Sequence, residues 1–499
     1  METDNMFLRA GRLKYVMFIS LFLLAGIERS SAFALLGPFA PWMTTELSYQ
    51  DGASIGGPMN LGEGYRWNVP VVTYAFDASF LDYFGTSGVA AVESSIGILN
   101  ALPPASQLNP GDYPANTTKI NVEAQSRSLL DLQSAALSLL LEQMGLAQPQ
   151  RFAFTLRDYS REGDMTNYTV IMRNFDPGSL APSALVNGTE YGYSVTYHTS
   201  GLSYVADTTE FAIDPLATTH TAVADGVPVS GYFFTGLTYD DVAGLSYLLK
   251  SNRFVMEGLL PGVHGVGTNS DNFVTNAIRA GVDKVTFQRV AYDQLLGKLF
   301  SPFTNQYVEH YRSNNAVHAQ TLERVITQPD IMFTAHFTGV PVVTRTGTTN
   351  WVNNGAPAQD GPGVIQPPIE INFNQLWHNI LNFSGVYPPP DNLLLHGPAW
   401  GSYNSSTNAP MSYPTRPGTT AAMHLLLISS ISMPQIYHEA TWDITAFPGT
   451  RLYALQTSTD LTNWITVITI TNSGKDFVYG DRIFPDTPSR YFRTIRLIP

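Results

Sequence analysis

The spacing of apolar and polar positions divides the chain into four stretches. Tyr15–Ile27 is an apolar run of thirteen residues behind Arg9, Arg12 and Lys14, and Ala32-Phe33-Ala34 follows it. A basic start, a short apolar run and small residues two apart form the pattern of a secretory leader over 1–34, with cleavage expected after Ala34 and Leu35 as the first mature residue. At about 1.5 Å per residue the run reaches roughly 20 Å, short of a hydrocarbon core of about 30 Å. No later segment is apolar enough to span a membrane, so no span is expected once the leader is removed.

Residues 35–250 alternate strand and helix patterns. Val69–Phe76 (VPVVTYAF) is β-branched and aromatic and predicts a strand. In Gly88–Leu102 the positions Val89, Val92, Ile96 and Leu99 fall on one helical face, which Pro103-Pro104 ends. Ser126–Leu146, rich in Leu and Ala, predicts a second helix, and Asp240–Leu249 a third, opened by two carboxylates that suit its N-terminal dipole. Phe152–Leu156, Tyr168–Met172 and Tyr191–Tyr197 read as strands.

Residues 251–430 give a weaker, loop-rich signal, with a helix expected over Gln306–Thr327 and Pro- and Gly-rich loops at 347–368, 387–390 and 409–417. Poor periodicity over that length suggests irregular structure laid on a neighbouring domain. Residues 431–499 change character. Five β-rich runs (Glu439–Thr445, Arg451–Thr457, Trp464–Thr471, Asp476–Tyr479 and Tyr491–Leu497) are separated by turn signals and predict a small antiparallel β-sandwich, with Trp442, Trp464, Tyr453 and Phe492 in its core. The segment YALQTSTDLTNW with the later RYFR resembles a C-terminal β-sandwich module of secreted bacterial proteins. The fold class expected is α+β.

Composition narrows the role. Hydrophobic residues make up 44% of 499 and charged residues only 13%, about half the usual share. A net charge of −13 on a charge-poor chain argues against a nucleic-acid partner. There is no cysteine, so an exported chain of this kind has no disulfide framework and fits bacterial export best. Asn116, Asn167, Asn187, Asn382 and Asn404 stand in N-x-Ser/Thr triplets, which an Asn- and Thr-rich chain produces by composition.

Candidate chemistry concentrates in Asp131–Pro149 (DLQSAALSLLLEQMGLAQP). This segment resembles the zinc-binding helix of metzincin peptidases, in the matrixin branch. That family carries H-E-x-x-H-x-x-G-x-x-H, in which two His one turn apart and a third beyond a Gly hold zinc, and the Glu is the general base. Ser134, Ala136 and Leu137 match the lead into the motif, and Gly145 and Leu146 match its turn. Ser138, Glu142 and Gln148 then stand at the ligand positions and Leu139 at the base. VVTYAF with the helix after it resembles the opening of that fold, and Leu237–Leu248 (LTYDDVAGLSYL) its closing helix. The resemblance implies a metzincin-like domain over 35–250 whose zinc motif is lost. Of the three aligned positions only Glu142 is a zinc-ligand type, and Leu139 cannot accept a proton. No catalytic residue, metal or cofactor is expected.

Other constellations are weaker. His310 and His318, eight apart with Glu309 and Glu323 near, read as a solvated helix face rather than a metal clip. Asp240-Asp241 reads as helix capping rather than a catalytic pair. Aromatic loops such as Trp400–Tyr413 read as packing, with sugar stacking as the other possibility. No nucleophile elbow, Walker loop, dinucleotide glycine pattern or calcium loop occurs. The expected role is non-enzymatic: binding or structural work outside the cytoplasm, with an unidentified extracellular protein or glycan as partner. Two alternatives stand beside it, a divergent zinc peptidase recruiting Glu142 with His198 or His220, and a glycan-active or glycan-binding protein.

Overall fold

A computed structural model describes residues 32–49, 56–63, 65–163, 165–200, 203–217, 222–267, 273–293, 298–299, 302–336, 347–349, 364–374, 399–414, 437–442, 452–458, 462–471, 477–482 and 491–497. The apolar run Tyr15–Ile27 of the expected leader lies outside them. The fold is α+β, rich in strands that pair mostly antiparallel.

Three helices carry the described core. The first, Ala78–Asn100, is capped by Asp77, whose carboxylate accepts the Phe80 amide at 2.8 Å. It begins earlier than its periodicity suggested and bends at Gly85, whose φ of 61° lies in the left-handed region. The bend lets Phe80 and Phe84 meet Phe373, while Phe84 also meets Trp400 and Tyr413. The second helix, Leu132–Gln143, is buried at every position except Gln133 and Glu142. A helix apolar on all sides belongs in the interior, and this one packs against the first helix, the turn Val223–Asp225 and the strand Ala399–Ser402. The third, Tyr239–Leu249, opens with a reciprocal cap in which Asp241 accepts the Thr238 amide at 2.8 Å.

The sheets cut across the expected domain limits. Val71–Phe76 lies between Thr286–Arg289 and Ile331–Thr334, both parallel to it, and Ile369–Asn372 extends the same sheet. Leu129–Asp131 pairs in parallel with Ala399–Gly401. Strands from 251–430 therefore complete the core of the first domain instead of lying over it. A buried ion pair reinforces that union, Arg66 with Glu257 at 2.6 Å, while Arg279 pairs with Glu309 at 2.5 Å and Arg324 with Asp330 at 2.5 Å inside 251–430. Asp330 also accepts the Thr73 amide at 2.8 Å.

The helix expected over Gln306–Thr327 is instead a hairpin, Phe303–Ser313 with Ala316–Ile326. Asn314 and Asn315 carry φ of 50° and 60°, the two-residue left-handed reversal that fits strand twist. Burial there has a period of two: Leu322, Arg324 and Ile326 face in, and Val325 faces out. His310 and His318 thus sit on adjacent strands, and His318 stacks on Tyr311.

Each of the five C-terminal runs contains a strand among the described residues. Tyr437–Trp442 pairs with Phe477–Arg482, and Leu452–Ser458 lies between Ile465–Thr471 and Tyr491–Leu497, all antiparallel. Trp464 is only partly buried, just ahead of its strand, where core placement was expected. The side chains of Trp442, Tyr453 and Phe492 lie outside the described residues.

Candidate functional site

Leu132–Gln143 holds Ser138, Leu139 and Glu142, three of the residues aligned with the zinc motif. Asp131 caps it by accepting the Ser134 amide at 2.8 Å. Ser138 is 1% exposed and its hydroxyl is a buried polar group without a partner among the described residues. Leu139 is 4% exposed and belongs to the main hydrophobic core. The positions corresponding to the first ligand and the base are thus enclosed by side chains. Glu142, one turn beyond Ser138, is partly buried, and burial pushes its carboxyl up to about 8.

Gly145 ends this helix with φ of 97°. Its amide donates to the Glu142 carbonyl at 2.9 Å, and a Cβ here would stand 1.9 Å from the Tyr65 carbonyl oxygen. Only glycine fits, for the backbone conformation and for the space. The chain then turns toward Ala222–Gly226: the Gln148 amide group lies against Gly226, and Gln150 donates its backbone N–H to Asp225 at 3.0 Å. Ser138 and Glu142 therefore share a helix face, and Gln148 lies beyond the glycine bend, next to a turn packed on the same helix. Among the described residues no three His, Cys, Asp or Glu gather as a metal-binding group. His220 lies outside those residues; His198 is on the hairpin formed by Thr189–Ser200 and Ser203–Ala212.

The two carboxylates opening the third helix divide their work. Asp241 accepts the amides of Val223, Ala224 and Thr238 at 3.1, 2.9 and 2.8 Å, and so ties the turn to the helix. Asp240 reaches away from its helix. It accepts the Ala32 amide at 2.9 Å and the Asn187 amide at 2.7 Å. Burial raises both carboxyls above their ordinary range, and burial raises Asp225 to about 7. The capping reading holds for Asp241 and misses what Asp240 does. Asn187, the middle of the five N-x-Ser/Thr triplets, is 4% exposed within this network.

A groove of about 1180 Å³ runs along the outer side of the third helix. Tyr239, Tyr247 and Lys250 come from that helix and its end, Arg253 from the loop after it, and Asn109 and Asp176 from the facing loops. The Arg253 guanidinium lies 3.4 Å from the centre of the Tyr247 ring. Burial, and then the neighbouring Arg66, lower its pKa to about 9. The one carboxylate on the opposite wall, Asp176, is already engaged by the amides of Gly178 and Ser179. The groove therefore offers two cations and an aromatic wall. The sequence patterns marked none of these groups as a site, because they come from one helix and from loops distant in sequence. Trp400, Tyr403 and Tyr413, by contrast, are buried in the core and unavailable to a sugar. No family model, no characterised protein and no solved structure matches the chain.

Proposed function

We infer that the protein is an exported, non-enzymatic binding or structural protein on a metzincin-like scaffold whose zinc motif has been lost. The observation carrying this reading is the enclosure of Ser138 and Leu139. A peptidase of this kind needs an imidazole at the first position and a proton acceptor at the second, both open to a cleft. Here a hydroxyl and an isobutyl group stand in the core. The order of elements supports the scaffold: the strand Val71–Phe76 and the helix after it, then a Leu-rich helix ended by a positive-φ glycine, then a closing helix bound through Asp241 to the turn beneath it. The C-terminal strands are read as a β-sandwich appended to that scaffold.

The groove beside Tyr247 is the favoured binding surface, and its chemistry suits an acidic ligand, an acidic glycan or a carboxylate-rich peptide. Arginine over an aromatic ring is a strong, pre-oriented partner for carboxylate or sulfate. Binding of the mature chain to immobilised acidic and neutral glycans tests this. Retention on acidic members, lost on Arg253→Gln with Lys250→Gln while the fold persists, supports the reading. Equal retention by that variant, or cleavage of peptide or glycan, overturns it.

A further inference from the structure

The strand Phe33–Gly37 is central to its sheet, and the residues at its start are among the most enclosed in the protein. Leu35 pairs with Met59, Ala34 with Ala147 and Asn174, and Phe33 with Phe175. Ala32, Phe33 and Ala34 are each at most 1% exposed. The Phe33 ring lies 4.7 Å from that of Tyr247, which also carries Arg253 in the groove. Cleavage after Ala34 would remove both pairs with Asn174–Phe175 and the ring that backs Tyr247.

The Ala32 amide donates to Asp240, which is 1% exposed and stands in a buried group with Asp241 and Asp225. The hydrogen-bond partners of these three carboxylates are backbone amides and the Thr238 hydroxyl, all uncharged. Among the described residues no Lys, Arg or His forms an ion pair with any of them. Buried carboxylates are ordinarily paired. Leader removal ahead of Ala32 would make a cation of a backbone nitrogen that already lies on Asp240.

We propose that the leader is removed at Ser31-Ala32, ahead of the N-terminal strand, and that the freed α-ammonium ion of Ala32 forms a buried ion pair with Asp240. This inference rests on the export expectation and is independent of the ligand. Hydrolysis of that bond by a leader peptidase consumes one water, leaves a carboxylate on the released leader and an ammonium ion on the protein. Ser31 places a small residue directly ahead of that bond. The pair would lock the first strand to the closing helix only after export.

Two measurements on the mature, full-length chain test this. N-terminal sequencing of secreted protein should give Ala32; any other first residue, Phe33 and Leu35 included, or a retained leader overturns the proposal. Chains starting at that native residue and chains carrying one extra glycine before it should differ in thermal midpoint, the extended form melting several degrees lower. Asp240→Asn should abolish that difference. Equal midpoints for the native and extended chains overturn the ion pair, and that comparison stands even where Asp240→Asn fails to fold.

Discussion

Arg66 and Glu257 meet at 2.6 Å with side chains 1% and 0% exposed, and they join halves of the chain 191 residues apart. The guanidinium also donates to the carbonyls of Leu248 and Arg279 at 2.9 and 3.1 Å, so little of its hydrogen-bonding capacity is left over. Such a pair contributes specificity more than net stability, because both ions lost their hydration. Arg66→Met should nevertheless cost about 3–5 kcal/mol by leaving Glu257 buried without a cation. Chemical denaturation of the single variant and of Arg66→Met with Glu257→Leu checks this. The double variant should recover most of the loss.

Gly145 carries the bend after the central helix. Gly145→Ala should destabilise by at least about 1–3 kcal/mol for the backbone conformation, before the clash with the Tyr65 carbonyl is added. A thermal melt reads this directly. A shift within error would mean that the bend is not as described.

The Asn314-Asn315 reversal should tolerate Asn-Gly, because glycine suits the second left-handed position. Asn315→Val should cost about 1–2 kcal/mol, the penalty for a side chain with a Cβ in that region. Comparing the two by denaturation separates turn geometry from general surface effects.

Burial raises Glu142 to about 8 and Asp225 to about 7. Both then hold a proton in the folded state that the unfolded chain releases near pH 4. The folded state binds more protons between those limits, so their stabilisation is complete below about pH 4 and is lost as pH rises toward 8. Glu142→Gln, neutral throughout, should flatten the fall in thermal midpoint from pH 5 to pH 9. An unchanged slope would place the Glu142 carboxylate in water.

Legibility followed the range of the interactions. Val89, Val92, Ile96 and Leu99 repeat on one helical face, and Asp240–Leu249 opens with carboxylates, so both helices were readable locally. The hairpin around Asn314 was not. Tyr307, Tyr311, Val317, Leu322 and Val325 offer a loose helical spacing, and the choice of strand is made by the Asn-Asn turn and by neighbours such as Asn276–Ala280. The parallel strands 286–289 and 331–334 are short and depend on Val71–Phe76, far away in sequence, for their pairing, and 369–372 depends in turn on 331–334. The helix and its glycine bend were legible around Ser138 and Gly145, while the zinc-motif frame to Gln148 rests on the resemblance alone. The enclosure of the helix was not legible, because the covering side chains come from 222–225 and 399–402. The bond from Ala32 to Asp240 spans 208 residues and leaves no local trace.

The proposed function holds that the helix carrying Ser138, Leu139 and Glu142 is a metzincin-like frame without zinc chemistry. Elemental analysis of secreted, mature protein purified without chelator tests it most directly. Far less than one zinc per chain is the predicted result, and Glu142→Ala should leave that value unchanged. One zinc per chain, lost on Glu142→Ala, would contradict the account.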